Sequence, residues 1–328
     1  MTTVVGKHDT GSSGGRFHGK LLSSLTSQLW AAGPELLGEL RRGVGGVGSS
    51  EFSESLAAAV FSGDQYEADP LEDLVVDGVA VVPVHGVITQ SSHGFLWFRA
   101  VSCEWLAATV TELAARGVPI VLDVRSPGGS VAGVSGAADA IYAARESVPV
   151  VAVVNELAAS CGCWLASQAD EVVLPRNAHV GAIGVYTIHR DVTEAEKSIG
   201  VKTTVIRAGK YKADHVRPLT TDDREHIQQR IDVVYSNFID DVARGRGVGA
   251  DSVVERMADA RIFTGAEAVE VGLADRVATL GEVLAELSGV DKGRSDDKTS
   301  GGGSVRGGLR ASSGRRWRGW RRSYGSRQ

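Results

Sequence analysis

The sequence predicts an α/β protein with a largely parallel sheet. From about residue 75 onward, short β-branched runs alternate with Ala-rich stretches of helical spacing. Several of these runs are almost continuously apolar, which is typical of strands buried on both faces of a sheet. The connections between the runs and the helical stretches are short, as expected of βαβ units.

The predicted elements follow one another regularly along this part of the chain. Strands are expected at 78–88, 119–126, 149–155, 171–175 and 201–208, and helices at 103–115, 131–145, 160–168, 221–244 and 280–287. The acidic first turn of the 221–244 helix suits the positive end of a helix dipole. The folded domain is therefore expected to cover residues 75–288.

The two flanks differ from this domain in composition. Residues 1–74 are predicted as an N-terminal arm, within which Leu21 to Leu40 have the apolar spacing of an amphipathic helix. Residues 289–328 are predicted as a disordered, basic tail rich in Gly and Arg. Such a composition buries too little apolar surface to offset the entropy of the chain.

The charge is distributed unevenly along the chain. Residues 291–328 hold eleven Lys or Arg against three Asp, a balance of +8, so the net charge of −5 leaves −13 for the rest. An acidic body argues against general nucleic-acid binding by the core, whereas the tail has the charge of an electrostatic contact. We read no secretory signal and no membrane span, and the three cysteines have no CxxC spacing. A soluble, cytoplasmic protein is expected.

The segment 149–175 contains the first candidate for chemistry. A buried strand ends at Asn155, and a turn of small residues then presents Ser160 at the start of a helix. Free N–H groups at a helix N-terminus stabilise anions, so the amide of Cys161 could hold an oxyanion forming beside Ser160. A small residue at Gly162 would let a substrate backbone approach. The alternative is that Ser160 is only an N-cap.

The second candidate is the sequence Ser126-Pro127-Gly128-Gly129, which lies between a strand and a helix. Two glycines after a proline permit unusual backbone conformations and leave their N–H groups unobstructed, so they could supply a second oxyanion donor. The alternative is a tight turn between strand and helix. A phosphate-binding loop is not indicated, because neither GxxxxGK[ST] nor GxGxxG is present.

The third candidate is a pair of lysines, Lys210 and Lys212, just beyond the expected strand 201–208. A lysine accepts the proton of a serine only when it is neutral, which requires a pKa well below about 10.4. Burial in apolar surroundings lowers the pKa of a lysine in this way. Each lysine taken alone is more simply explained as a solvated surface residue.

Together these segments resemble the serine peptidases of the signal peptide peptidase A type, including the phage head maturation (prohead) proteases. The resemblance runs over roughly residues 75–288 and rests on four ordered pieces, namely SPGG at 126–129, ELAASCGCWLAS at 156–167, VGAIGV at 180–185 and AGKYKADHVRPLT at 208–220. It implies the Clp protease/crotonase-like fold of repeated ββα units. It also implies acyl transfer to a serine without a cofactor or metal.

The resemblance implies a role for each matching residue. Ser160 matches the nucleophile and Lys212 the general base of a Ser–Lys dyad, with Lys210 as the rival base. The amides of Gly129 and Cys161 match the oxyanion hole, and Gly128 and Gly162 would contact the substrate. Cys163 departs from the family, since a tyrosine is common at that position.

Alternatives to the dyad remain. A Ser–His–Asp triad could be drawn from Ser160, Asp123 and either His85 or His179, as in the Clp relatives. A thiol nucleophile at Cys161 would need a nearby His base. No His/Cys/Asp/Glu cluster has metal-ligand spacing, so no metal is expected.

The phage branch of the family implies partners as well. Its members cleave scaffold or other prohead proteins and often process themselves, so protein substrates are expected. Relatives of this architecture also bury helical edges between subunits, so a homo-oligomer is expected, with the helix 221–244 as a candidate contact. A peptide-degrading signal peptide peptidase, an acyl-CoA enzyme of the crotonase fold and a non-catalytic capsid assembly factor are the competing functions.

Overall fold

The computed structural model describes residues 71–91 and 100–289, together with the backbone of a short strand at 30–32. The expected tail and most of the expected arm lie outside the described residues.

The described strands form one ten-stranded sheet. They are β1 Trp30–Ala32, β2 Val75–Val76, β3 Val79–Thr89, β4 Ala100–Ser102, β5 Ile120–Ser130, β6 Val150–Ala159, β7 Glu171–Leu174, β8 His179–Gly181, β9 Ile262–Thr264 and β10 Arg276–Val277. The central order is β10-β7-β6-β5-β3-β2, and every pair from β10 to β3 is parallel. The largely parallel α/β sheet predicted from the sequence is therefore confirmed.

The helices follow the strands in the alternation expected of βαβ units. They are α1 Cys103–Ala115, α2 Val134–Ala144, α3 Cys161–Ala166, α4 Thr193–Ser198, α5 Thr221–Arg246, α6 Ala250–Arg256, α7 Ala266–Val271 and α8 Leu280–Ser288. Short 3₁₀ turns lie at Leu71–Leu74 and Asp214–Val216. The side chain of Ser102 caps α1 by accepting a hydrogen bond from the amide of Trp105 at 3.2 Å.

The sheet is buried on both faces. Because side chains alternate along a strand, Ile120, Leu122 and Val124 of β5 point into the main core. Val121 points the other way, into a smaller cluster that includes Val283 of α8. Burial on both faces explains why the central strands read as nearly continuous apolar runs.

Two predicted elements differ in the structure. The expected strand at 201–208 is not formed, and Ile206 is 96% exposed. β-branched residues favour a strand only when a neighbouring strand pairs with them, and no strand of the described chain pairs with this segment. Within the expected helix 21–40, residues 30–32 form a strand paired with β5 instead.

A third difference concerns the Pro-Gly-Gly segment. The sequence suggests a tight turn at Ser126 to Gly129 as the alternative to a site, whereas β5 continues through these residues to Ser130. The extension pairs with β3, with Gly128 opposite Val87 and Gly129 opposite Ile88. The diglycine therefore lies within β5.

Candidate active site

Ser160 lies in a strained turn between β6 and α3. Its backbone has φ 55° and ψ −120°, a combination that costs free energy in a residue with a Cβ and persists only where the surroundings impose it. The amide of Ser160 donates to the carbonyl of Gly181 at 2.8 Å, and its carbonyl accepts from the amide of Trp164 at 2.9 Å. The ends of β6, β8 and α3 together hold this turn.

The hydroxyl of Ser160 is buried and unpaired. The residue is 2% exposed, and its Oγ has no hydrogen-bond partner among the described residues. Ser160 occupies the N-cap position of α3, but its side chain makes no capping bond, so capping does not explain why a serine stands here. A buried hydroxyl without a partner costs about 1–3 kcal/mol, and such costs are concentrated at functional sites.

Glycine is required at the end of β5 by the closeness of β3. A Cβ placed on Gly129 would lie 2.0 Å from the carbonyl oxygen of Ile88. Gly128 has φ 100°, which residues with side chains rarely adopt. At these two positions, near the carboxyl end of β5, the main-chain N–H and C=O groups are not covered by a side chain of their own residue.

Packing of α3 brings this strand end to Ser160. A Cβ on Gly162 would lie 3.1 Å from the carbonyl oxygen of Ser126, so the small residue allows the first turn of α3 to approach β5. The thiol of Cys161 lies 3.6 Å from the carbonyl oxygen of Gly129. The structure thus brings together the predicted residues Ser160, Cys161, Gly162, Gly128 and Gly129.

The cysteines are in surroundings that favour the neutral thiol. Burial raises the pKa of Cys161, and it raises the pKa of Cys163 to about 12. Thiolate, the nucleophilic form, is therefore suppressed at both positions. The thiol of Cys161 acts as a packing group beside Gly129.

The two lysines differ in their surroundings, and neither meets Ser160 within the described chain. Lys210 forms an ion pair with Asp222, whose hydrogen bond raises the pKa of the ammonium. Lys212 is exposed, its amide donates to the carbonyl of Gly209 at 3.3 Å, and it is not hydrogen-bonded to Ser160.

A network that the sequence analysis did not single out anchors the chain just after these lysines. Both terminal nitrogens of Arg217 donate to the buried carboxylate of Asp223, at 2.6 and 2.7 Å. The same carboxylate accepts from the amide of Thr220, whose hydroxyl caps α5 in return. His189 bonds through Nε2 to the carbonyl of Arg217 at 3.0 Å. The sequence Thr-x-x-Asp at 220–223 was a detectable helix-start signal.

A Ser–His–Asp triad is not assembled around Ser160. His85 Nε2 lies 2.8 Å from Asp123 Oδ2, an aspartate that also pairs with Arg125. His179 Nδ1 instead contacts the hydroxyl of Thr264 at 2.9 Å. With no partner on Ser160 Oγ, neither histidine is positioned to take its proton.

The described residues contain neither a cluster of metal ligands nor a helix that could span a membrane. Within 71–91 and 100–289, no group of three or more His, Cys, Asp or Glu side chains could hold a metal ion. No helix in the same ranges is long and apolar enough to cross a membrane.

A serine on a strained strand-to-helix turn, facing a diglycine strand end at the carboxyl edge of a parallel sheet, is typical of hydrolases with a serine nucleophile. Residues 142–292 match the family model of peptidase family S49. The match covers Ser160 and Lys212. Together with the relatives below, it confirms the resemblance to serine peptidases of the signal peptide peptidase A type.

Several curated proteins are similar to this chain. The head-tail preconnector protein of Enterobacteria phage P21 is 32% identical over 223 residues, which are 65% of this chain and 43% of that protein. The capsid assembly protease C of Escherichia phage lambda is 31% identical over 230 residues, or 68% and 52% respectively. A putative signal peptide peptidase SppA of Enterococcus faecium is 28% identical over 218 residues, or 64% and 62%. The chain thus spans about half the length of the two phage relatives.

Proposed function

We propose that this protein is a serine endopeptidase with Ser160 as the nucleophile and Lys212 as the general base. The observation that carries the proposal is the buried, unpaired hydroxyl of Ser160 on a strained turn against the Gly128–Ser130 strand end. The match to peptidase family S49 and the protease names of the relatives support the same chemistry.

The mechanism is acyl transfer. Neutral Lys212 takes the proton of Ser160, and Ser160 Oγ attacks the carbonyl carbon of the scissile peptide bond. The amides of Gly129 and Cys161 donate to the resulting oxyanion, and the leaving amine takes the proton back from the lysine. Water then hydrolyses the acyl-enzyme. Activity rises with pH as the lysine loses its proton.

Lys212 is the better base of the two lysines. Lys210 is held protonated by Asp222, which raises the pKa of its ammonium. Lys212 has no carboxylate partner among the described salt bridges. Burial of Lys212 beside Ser160 would supply the lowered pKa that the mechanism requires.

We infer that this burial is achieved in a homo-oligomer, in which Lys212 of one copy completes the site around Ser160 of another. The segment that holds Lys212 exposes several apolar side chains, an unusual surface for a protein that stays alone in water. They are Val192 at 49%, Ile199 at 75%, Val201 at 46% and Ile206 at 96% exposed. On α5, Val233 is also 61% exposed.

Mixing two inactive variants tests this arrangement. Ser160→Ala and Lys212→Ala subunits, co-assembled after mild unfolding, would regain up to about a quarter of the wild-type activity, since each intact site needs one subunit of either kind. Each variant alone and the double variant serve as controls. Co-assembled mixtures that stay inactive would show that each chain builds its own dyad.

The natural substrates are proposed to be scaffold or other prohead proteins of a phage or prophage, cleaved in the host cytoplasm or inside the prohead. The names of the two phage relatives support this, as a capsid assembly protease and a head-tail preconnector protein. Incubation with the structural proteins encoded nearby, followed by mass spectrometry of the products, tests it. Cleavage of signal peptides alone would favour the second candidate, a peptide-degrading enzyme like the Enterococcus faecium relative.

Labelling of the serine separates these hydrolases from an acyl-CoA enzyme or a non-catalytic assembly factor. A fluorophosphonate should label the wild-type protein at Ser160 and leave Ser160→Ala unlabelled, because only an activated serine reacts. Equal labelling of both proteins would contradict the proposed nucleophile.

The basic tail is proposed as an electrostatic tether for nucleic acid or an acidic prohead surface. Its charge of +8 over residues 291–328 supports this role, and so do Trp317, Trp320 and Tyr324, interleaved with arginines. Replacing the arginines of 315–322 by glutamine should weaken such binding mainly at low salt. Equal binding by both proteins at low salt would contradict the tether.

A further inference from the structure

The strand β1, far from the domain in sequence, is paired with the candidate active site. Trp30–Ala32 runs antiparallel to the end of β5, with Trp30 opposite Ser130, Ala31 opposite Gly129 and Ala32 opposite Gly128. The strand that pairs with this end of β5 therefore comes from the same chain, about 40 residues before β2, the first strand of the domain.

The topology locates β1 on the side of β5 that faces the nucleophile. Gly128 and Gly129 already pair with Val87 and Ile88 of β3, and a strand has only two edges. β1 therefore pairs with the other edge of β5. Earlier along β5, the same edge pairs with β6, as far as Ser126 opposite Ala158. Beyond that pair, β6 leaves β5 and leads directly to Ser160.

This edge has the properties of a peptide-binding site. An open strand edge offers N–H and C=O groups that hold an extended peptide by adding it to the sheet. The absence of side chains at Gly128 and Gly129 leaves those groups accessible. β1 also pairs along Gly129, whose amide the mechanism assigns to the oxyanion hole. A substrate and β1 therefore need the same main-chain groups.

We propose that residues 30–32 are a built-in occupant of the substrate edge, which excludes other peptides until it is displaced. This inference rests on the proposed peptidase function. The occupant belongs to the same chain as the edge, and the pairing that the structure describes covers three residues. A three-residue ladder is short enough for a longer substrate strand to compete with it.

Proline substitutions in the full-length protein test the occupant. Successive residues of a strand direct their N–H groups to opposite edges, so one of Trp30→Pro and Ala31→Pro removes a donor to β5. That variant should show kcat/KM for a peptide substrate raised about fivefold or more, the equivalent of one net hydrogen bond. Trp30→Ala and Ala31→Ser keep their N–H groups and serve as matched controls, with thermal melts to verify folding.

Peptide binding supplies a readout that needs no catalysis. A fluorescent peptide TSQLWAAGPEL, copied from residues 26–36, should bind the Ser160→Ala protein about fivefold more tightly when Trp30→Pro or Ala31→Pro is added. If neither proline changes peptide binding or kcat/KM, the occupied edge is overturned. Hydrolysis of the peptide substrate in that case would still support the peptidase function. Tighter binding without hydrolysis in any variant would overturn the peptidase and keep the occupied edge.

Two further measurements need no proline variant. Amides of β1 should exchange with deuterium more slowly in the wild-type protein than in an unstructured peptide, and exchange at the unstructured rate would overturn the inference. The deuterium protection of β1 should also be independent of protein concentration. Loss of that protection on dilution would assign the occupant to another copy and overturn its placement in the same chain.

Discussion

The segment that holds Ser160 and the segment that holds Lys212 are built in opposite ways. From Ile120 to Gly181 the chain forms the centre of the sheet, and most of the residues around Ser160 are buried. Residues 187–220, all of which the structure describes, contain no buried residue and only one short helix and one 3₁₀ turn. The nucleophile is therefore held by a core, whereas the candidate base is not.

The two halves of the site are held in place by different kinds of contact. The Ser160 turn depends on contacts that one chain makes with itself, such as the bond to Gly181 and the packing of Gly162 on Ser126. The Lys212 segment is held mainly by polar contacts to the start of α5, namely the ion pair of Lys210 with Asp222 and the bonds of Arg217 to Asp223. A second copy of the chain would supply the burial that the first does not.

The largest effects are expected from the two dyad residues. Ser160→Ala and Lys212→Ala should each lower kcat/KM at least about a thousandfold. Neither should lower the unfolding midpoint, because neither opens a large cavity and Ser160→Ala removes a buried hydroxyl that has no partner among the described residues. Lys210→Ala is the matched control, since its partner Asp222 keeps that lysine protonated. A dead Lys210 variant beside an active Lys212 variant would reverse the assignment of the base.

The next largest effect is expected from a methyl group at the strand end that supports the nucleophile. Gly129→Ala directs a Cβ into the carbonyl oxygen of Ile88, so β5 must shift, with loss of activity and a cost of about 1–3 kcal/mol. Gly136→Ala in α2 meets no atom within 4 Å and should stabilise by about 0.5–1 kcal/mol. Urea unfolding measures both changes. Equal stability of the two variants would contradict the tight approach of β3.

The anchor of the lysine segment should respond to acid. Bonds from Arg217 and Thr220 hold the pKa of the Asp223 carboxyl well below its ordinary value of about 3.9. A lowered pKa stabilises the folded state above the ordinary value, and that contribution is lost as the pH falls below about 4. Asp223→Asn should therefore be less stable at pH 7 and lose less stability between pH 5 and pH 2. Parallel pH profiles for both proteins would contradict this role.

The smallest expected effect is that of the α5 cap alone. Thr220→Ala removes the hydroxyl that accepts from the amide of Asp223 and should lower the free energy of unfolding by about 1 kcal/mol. Thr220→Ser retains the hydroxyl and is the control. A Ser variant as unstable as the Ala variant would show that the methyl group, rather than the cap, matters.

Much of the nucleophile region could be predicted because its signals are local. The helix at 103–115 is observed at the predicted residues, and the strand at 171–175 ends one residue earlier than predicted. Apolar runs and helical spacing reflect burial directly, so these elements can be predicted from the sequence. The expected strand at 201–208 failed because its residues are β-formers that have no partner strand.

The parallel α/β architecture, the serine before a short helix and the diglycine near the end of a strand could be predicted without coordinates, since each depends on neighbouring residues. Only the tertiary structure decided that β5 continues through Gly129, that Ser160 has a strained backbone and an unpaired hydroxyl, and that residues 30–32 lie along the same strand end. The reason is physical. These features arise from contacts between residues that are far apart in the chain, and no local pattern encodes such contacts.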